Sequence, residues 1–223
     1  QMNANNILLT LAVIGGTGKE GKGLAYRWAK AGYRVIIGSR SAEKAESAAT
    51  DLNKMLGDET VIGKENGEAA KAADILVLTV PYSAHASTLK TIRDAAQGKI
   101  LVDVTVPLVP PKVSKVQMPP AGSAAQEAQS ILGEDVSVVS AFQNISHEHL
   151  FSDHSIDCDV LVTGKGKAAR QEVLKLVESA GMRGFDAGVL DNSMVVEGLT
   201  SLLIYINKEN GAKSAGIRIT GIN

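Results

Sequence analysis

The 223-residue chain has little cysteine, few aromatic residues and almost no net charge, and each shortage excludes a class of protein. Its single cysteine, Cys158, excludes an intramolecular disulfide and is most simply a small buried side chain. Aromatic residues make up 4% and the net charge is −1, so a basic, aromatic-lined surface for nucleic acid is not expected. The apolar run over residues 7–14 is too short to span a bilayer. We therefore expect a cytoplasmic protein that binds neither nucleic acid nor membrane, with a short disordered lead over residues 1–6.

The N-terminal apolar run ends in glycines at the point where a helix would begin. Gly16, Gly18 and Gly21 have the G-x-G-x-x-G spacing directly after this predicted buried strand. In such a segment Gly16 allows a tight turn, Gly18 lets backbone N–H groups approach a pyrophosphate, and Gly21 lets the helix pack closely on the strand. The spacing predicts a dinucleotide-binding turn, and a glycine turn in some other α/β protein is the alternative.

The second predicted strand, residues 33–37, is not followed by an acidic residue. An NAD-binding chain places Asp or Glu near this point to hold the ribose 2′-hydroxyl. Here the strand leads into Ser39 and Arg40, with Lys44 one helical turn later. A hydroxyl, a planar guanidinium and a second cation suit a 2′-phosphate, so the pattern predicts NADP(H).

Strands and helices alternate along the rest of the chain. This predicts an α/β fold, a Rossmann-like, doubly wound and mostly parallel sheet with a small C-terminal helical appendage. Further strands are predicted over residues 60–63, 74–80, 99–104, 136–141, 159–163 and 183–186, and helices over residues 42–56, 87–96, 123–132, 168–180 and 194–207. We expect residues 1–150 to form the NADP-binding domain and residues 151–223 to complete the cleft for the hydride acceptor.

The terminal helix is unusually apolar. Its broad apolar side is expected to pack against the sheet or against a second subunit, and it consists of Val195, Val196, Leu199, Leu202, Leu203 and Ile206. Leu199, Leu202, Leu203 and Ile206 offer more apolar surface than one amphipathic stripe normally exposes, which predicts a homodimer.

Ligands of an open parallel sheet bind beyond the carboxyl ends of the strands. The loops at residues 79–85, 105–109 and 142–149 should therefore converge on one pocket, where Pro81 gives a rigid surface for a nicotinamide ring. His85, in the first turn of a helix after a proline, is more simply a solvated surface residue than a proton donor. No catalytic acid, base or nucleophile is predicted, because direct hydride transfer between stacked rings needs none.

The region after residue 146 is rich in groups that can bind metal. It contains His147, Glu148, His149, Asp153, His154, Asp157 and Cys158. The spacing lacks both H-E-x-x-H and a C-x-x-C pair. We therefore expect a polar loop that caps the cofactor pocket, and no metal.

Six segments together carry a family resemblance. They are AVIGGTGKEGKGLA (12–25), GSRSAEKA (38–45), ADILVLTVP (73–81), VVSAFQNI (138–145), DVLVTG (159–164) and LDNSMVVEGLTSLLIYINKENG (190–211). They resemble the NADPH-dependent reductases of the deazaflavin coenzyme F420, also called F420H2:NADP oxidoreductases. Gln143 departs from the pattern, since family members can carry a histidine there.

The resemblance implies hydride transfer between NADP(H) and coenzyme F420 and assigns roles to residues. Thr17, Gly18, Lys19 and Glu20 would hold the phosphates, and Ser39, Arg40 and Lys44 the 2′-phosphate. Val80, Val106 and the segment from Ile145 to His147 would line the nicotinamide, on which the deazaflavin would stack. A flavin, imine or ferric-chelate acceptor, or a non-catalytic NADP(H)-binding module, are the alternatives.

Overall fold

The structure is a computed structural model that describes residues 9–222. The predicted lead over residues 1–6 and the first two residues of the predicted first strand lie outside this range. In the described range, the strands β1 to β8 are Thr10–Ile14, Arg34–Ser39, Ile62–Glu65, Ile75–Leu78, Ile100–Asp103, Ser137–Ser140, Asp159–Gly164 and Arg183–Asp186. The helices α1 to α7 are Lys19–Lys30, Ala42–Leu56, Asn66–Ala72, Tyr82–Ala96, Ala124–Leu132, Lys167–Ser179 and Ser193–Glu209.

The eight strands form one sheet in the order β3-β2-β1-β4-β5-β6-β7-β8. Strands β1 to β6 are parallel, β7 runs antiparallel to β6, and β8 is parallel to β7. The predicted doubly wound, mostly parallel sheet is therefore confirmed. The strand order reverses between β1 and β4, which is where such a sheet opens a ligand crevice.

The central strands are buried on both faces, which explains why they read as unbroken apolar runs rather than as alternating patterns. Every residue of β4 is buried, as is β1 from Leu11 to Ile14. One core lies between the sheet and helices α1, α2 and α6, and includes the fully buried Trp28. The second lies against α3, α4 and α5. Trp28 is therefore a packing residue of this core.

The sequence prediction was wrong at several element boundaries. Helix α3 was missed, because it is only seven residues long and has a glycine at its second position. Helix α4 begins at Tyr82, five residues before the predicted start, with Pro81 at its N-cap position and no side-chain hydrogen bond from this residue. Strand β3 lies two residues later than predicted.

The terminal helix α7 does not have a single apolar side. Val196 and Leu203 pack into the protein, whereas Val195, Leu202 and Ile206 are 65%, 47% and 46% exposed. Two apolar faces thus share one helix, and Leu203 belongs to the inner one. None of the helices between residues 9 and 222 has the length and apolar character needed to cross a membrane.

Candidate functional site

The glycine turn follows β1 at the sheet crevice. Gly15 has a φ of +67°, and a Cβ there would lie 2.2 Å from Cγ1 of Val80. At Gly16 a Cβ would lie 2.6 Å from the carbonyl oxygen of Val13. The left-handed residue of the tight turn is therefore Gly15, one position before the predicted Gly16, although neither position accepts a side chain.

Gly21 lets helix α1 approach β4, as predicted. A Cβ at Gly21 would lie 2.6 Å from Oγ1 of Thr79, whose hydroxyl is 3.2 Å from the carbonyl oxygens of both Ile14 and Gly15. Thr79 thus anchors the turn, and sequence reasoning missed it because a threonine at a strand end has no distinctive pattern.

Gly18 is different from the other glycines of the turn. A Cβ there would meet no protein atom within 4 Å, so the fold itself does not demand a glycine. Gly18 is the N-cap of α1, and no side chain caps this helix end. A helix N-terminus with free N–H groups and open space beside it favours an anion.

A cleft of about 710 Å³ extends from this helix end across the carboxyl ends of β1, β4 and β5. Eight of the predicted site residues line it, namely Thr17, Gly18, Lys19, Glu20, Val80, Pro81, Val106 and Ile145. The proline-rich connection after β5 contributes Leu108, Pro110 and Val113 to its wall. Burial beside the glycine turn raises the pKa of Glu20 to about 8.

The predicted loops after β4, β5 and β6 therefore meet at one cleft. His147 lies in the adjoining cavity of about 180 Å³, which shares Gln143, Ile145 and Thr200 with the main cleft. A groove of similar size, about 690 Å³, lies along β8 and contains none of the predicted site residues.

The residues predicted to bind a 2′-phosphate lie beside the glycine turn, at the end of β2 and the start of α2. The turn and the strand are joined by a 2.9 Å hydrogen bond from the N–H of Gly16 to the carbonyl of Gly38. Ser39 is buried, whereas Arg40 and Lys44 are exposed at the start of α2. This helix also begins here, so its positive end faces the same space as the two cations.

Asn66 supports this corner and was missed by sequence reasoning. Its side-chain oxygen accepts a 3.2 Å hydrogen bond from the N–H of Gly15, and a Cβ at Gly38 would lie 2.7 Å from it. Asn66 is 3% exposed at the first position of α3. The only signal was an asparagine at a helix start, and the helix itself was not predicted.

His85 is not on the surface, so the prediction of a solvated histidine was wrong. It is fully buried, with Nε2 2.7 Å from Oδ2 of Asp103 and Nδ1 3.4 Å from Oε1 of Glu127. Burial opposes a charged imidazole, but the hydrogen bonds and charges of Asp103 and Glu127 outweigh it and raise the pKa of His85. His85 lies in the first turn of a helix after a proline, as predicted, but this position of α4 faces Asp103 of β5 and not solvent.

Asp103 connects this buried pair to the floor of the cleft. Its Oδ1 accepts a 3.1 Å hydrogen bond from the N–H of Thr105, and its main-chain carbonyl accepts a 2.8 Å bond from Nε2 of Gln143. Oγ1 of Thr105 and Oε1 of Gln143 are buried without a partner among the described residues. Both residues line the cleft, so a bound ligand is the natural source of the missing partners.

Helix α7 forms the opposite wall and is tied to the same floor. Oγ1 of Thr200 donates a 2.7 Å hydrogen bond to the carbonyl of Gln143, and Nδ2 of Asn144 donates to the carbonyl of Val196. Thr200 was not predicted, because the apolar pattern of the helix drew attention to its leucines. The long-range contact between β6 and α7 could be found only in the folded chain.

The last candidates from the sequence are Cys158 and the side chains that could bind a metal. Cys158 is 7% exposed, as expected for a small buried side chain, and burial is the main cause that raises the pKa of its thiol. Within the part of the chain that the structure describes, no group of three or more His, Cys, Asp or Glu side chains is arranged to hold a metal ion.

A glycine turn at the crevice of a doubly wound sheet, with a basic rather than acidic corner at the end of β2, defines a dinucleotide-binding protein of the Rossmann class. The family described as NADP oxidoreductase coenzyme F420-dependent matches residues 10–107. An F420-dependent NADP reductase of Methanocaldococcus jannaschii is 41% identical over 96% of this chain and 99% of its own length. That of Methanothermobacter thermautotrophicus is 42% identical over 97% of both chains. The chain therefore belongs to the family of F420-dependent NADP reductases.

A solved structure supports the same fold. A candidate F420-dependent NADP reductase from Arthrobacter sp. FB24 has a TM-score of 0.79 and 24% sequence identity, and the match covers 95% of this chain and 99% of that one.

Proposed function

We propose that this chain binds NADP(H) in the 710 Å³ cleft and exchanges a hydride with coenzyme F420. It is an NADP-dependent oxidoreductase by family membership, with NADP(H) and F420 as its two cofactors. The observation that carries the residue assignment is the open helix end at Gly18 beside a basic corner. One part suits a pyrophosphate and the other an adenosine 2′-phosphate.

The proposed roles extend from the basic corner, whose residues do not line the cleft itself, along the cleft to the adjoining cavity. Thr17, Gly18, Lys19 and Glu20 hold the pyrophosphate over the turn that Gly16 allows. Ser39, Arg40 and Lys44 hold the 2′-phosphate. The nicotinamide lies along the apolar surface of Val80, Pro81, Val106 and Ile145, with His147 at the far end.

Hydride transfer between NADP(H) and F420 requires little from the protein beyond the correct placement of the two rings. A hydride passes between the two rings, and one proton from solvent balances the charge when F420 is reduced by NADPH. Val80, Pro81 and Ile145 fix the ring orientation and exclude water, which is what direct transfer requires. No catalytic acid, base or nucleophile is assigned.

The C-terminal part completes this site in our proposal. Residues 151–223 include α7, which supplies the wall opposite β4 and β5 through Thr200. The exposed apolar face of α7 is proposed to form a homodimer, because Val195, Leu202 and Ile206 lie on the outside of the helix. A cytoplasmic location remains a prediction.

The test mixes the purified chain with NADPH and oxidised F420 and follows the loss of deazaflavin absorbance. Turnover supports the proposal. Tight NADPH binding without turnover would favour a binding module, and turnover only with a flavin, imine or ferric chelate would assign a different acceptor.

A pair of matched variants tests the placement of NADPH. Gly18→Ala adds a methyl group that meets no protein atom within 4 Å, so it should fold and raise the KM for NADPH at least tenfold by obstructing the pyrophosphate. Gly166→Ala is the control, since Gly166 is the N-cap of α6 and is equally open. Equal behaviour of the two variants would argue against this pyrophosphate site.

A further inference from the structure

Four ionisable side chains meet in the interior beside the cleft, each from a different element. They are His85 of α4, Asp103 of β5, Glu127 of α5 and Glu197 of α7, and we call them the acid–imidazole cluster. His85 and Asp103 are fully buried, Glu197 is 1% exposed, and the Glu127 side chain is 25% exposed. Two of the three carboxyl groups, those of Asp103 and Glu127, contact the imidazole, and the third, of Glu197, lies near enough for the charge of His85 to act on it.

Glu197 joins the cluster by binding the start of α5. Its carboxylate oxygens accept hydrogen bonds of 2.6 and 3.2 Å from the N–H groups of Ala124 and Ala125. Asp103 and His85 are close enough for their charges to act on it. Between residues 9 and 222, no lysine or arginine forms an ion pair with any carboxyl group of the cluster. Its charge is therefore biased toward negative.

The cluster stands directly behind the proposed nicotinamide end of the cleft. Strand β5 continues from Asp103 into Thr105 and Val106, which line the cleft. Glu197 precedes Thr200, another lining residue, by about one helical turn. Tyr82 also lines the cleft, and its hydroxyl donates a 3.0 Å hydrogen bond to Glu127.

The two redox forms of the coenzyme differ in charge at this end only. The oxidised nicotinamide ring is cationic and the reduced ring is neutral, whereas the phosphates are the same in both. We propose that the acid–imidazole cluster makes the cleft favour NADP+ over NADPH, and that Glu197 supplies the charge that sets this preference. The inference rests on the proposed function, because it requires NADP(H) in this cleft.

The charge of Glu197 changes in an accessible pH range. Burial is the main cause that raises its pKa to about 8; the charge of Asp103 also raises it, while the N–H groups of Ala124 and Ala125 and the charge of His85 lower it. Raising the pH through this value deprotonates Glu197, which makes the cluster more negative. Of the other groups that face Glu197, Tyr82 has a pKa raised to about 12, mainly by burial, and stays neutral in this range.

The expected effect is moderate. For a separation on the order of 10 Å and an effective dielectric constant of about 20 to 40, one charge changes the affinity for a cationic ring by roughly 4- to 16-fold. The neutral ring is unaffected to first order, so the effect belongs to the ratio of the two dissociation constants.

The experiment measures Kd for NADPH by fluorescence titration and for NADP+ by displacement, at pH 6.5 and pH 9 and constant ionic strength. Titration of the 2′-phosphate is common to both ligands and cancels in their ratio. For the unmodified chain the ratio should move toward NADP+ by roughly 4- to 16-fold at the higher pH. Glu197→Gln should remove most of this movement. Glu172→Gln is the control, because Glu172 is partly exposed on α6 and paired with Lys175.

Several outcomes overturn the inference. A ratio that does not move with pH, or that moves equally in Glu197→Gln, contradicts it. An equal loss of affinity for both ligands in Glu197→Gln indicates a packing defect and also contradicts it. Glu20 also lines the cleft and has a pKa raised to about 8 by burial, so the pH series is repeated with Glu20→Gln. The movement of the ratio should persist in Glu20→Gln, and its loss there contradicts the inference. If Glu197→Gln does not fold, the Glu20→Gln series decides. Binding of both ligands with a constant ratio leaves the proposed function intact, whereas binding of neither refutes the proposed function as well.

Discussion

Arg40 offers the sharpest test of coenzyme choice. A charge-assisted hydrogen bond contributes about 1.5 to 3 kcal/mol, which is roughly 10- to 150-fold in binding. Arg40 is exposed. When its side chain is removed, Ser39, Lys44 and the start of α2 remain beside the proposed position of the 2′-phosphate. We therefore expect Arg40→Ala to lie near the low end, a loss of about 10- to 30-fold in kcat/KM for NADPH. NADH has no 2′-phosphate, so its kcat/KM should change little.

The measurement is the ratio of kcat/KM for NADPH to that for NADH. Arg34→Ala is the matched control, because Arg34 is exposed at the opposite end of β2. Raising the salt concentration should weaken NADPH more than NADH in the unmodified chain, since the difference between the two coenzymes is ionic. A preference for NADH in the unmodified chain, or a ratio that Arg40→Ala leaves unchanged, would refute the reasoning.

Three further predictions concern stability and assembly. His85→Ala should lower the free energy of unfolding by about 3 to 5 kcal/mol in urea titrations, because it leaves the buried Asp103 carboxyl without its charged partner, while kcat of the folded enzyme stays within tenfold; a thousandfold loss of kcat would instead assign His85 to catalysis. The stability should fall as the pH rises from 4.5 toward 8, because the folded state keeps a proton on Glu197 that the unfolded chain releases, and Glu197→Gln should flatten thermal unfolding midpoints across this range. Light scattering should give about twice the chain mass of 23.3 kDa, and Leu202→Glu should halve it, whereas Met55→Glu on the exposed face of α2 should not; a monomeric unmodified chain would rule out the dimer.

The sequence was sufficient for the parts of the site that depend on local order. The buried strand and the glycine turn belong to one continuous segment. The spacing of Gly16, Gly18 and Gly21 can therefore be recognised without knowing the rest of the fold. Ser39 and Arg40 of the basic corner are also neighbours in the sequence, so this feature could be recognised in the same way. Parallel strands bring such strand ends to one edge, so the convergence of the three loops followed from the predicted topology.

Sequence reasoning was less successful where a position depends on the exact phase of a helix. His85 was assigned to the surface because a histidine in the first turn of a helix is usually solvated, and no local signal shows that this position faces Asp103. Each residue advances about 100° around the helix axis, so neighbouring positions face different surroundings. The same difficulty affected α7. Val195 and Val196 are adjacent in sequence, but Val195 is exposed to solvent and Val196 is buried in the core.

The acid–imidazole cluster shows why part of the site could not be found in the sequence at all. His85 and Glu197 are separated by 112 positions and come from helices that do not follow one another in the chain. No short motif relates them, and each would read in isolation as an ordinary polar residue of an amphipathic helix. What joins them is helix α5, since Glu127 of α5 contacts His85 and Glu197 binds the N–H groups at the start of α5. Burial makes a charge on Glu197 costly. An excess of carboxyl groups in such a place destabilises the empty protein, and a cationic ring in the adjoining cleft offsets part of that cost. The destabilisation of the free chain and the preference for NADP+ are thus two measurements of the same buried charge.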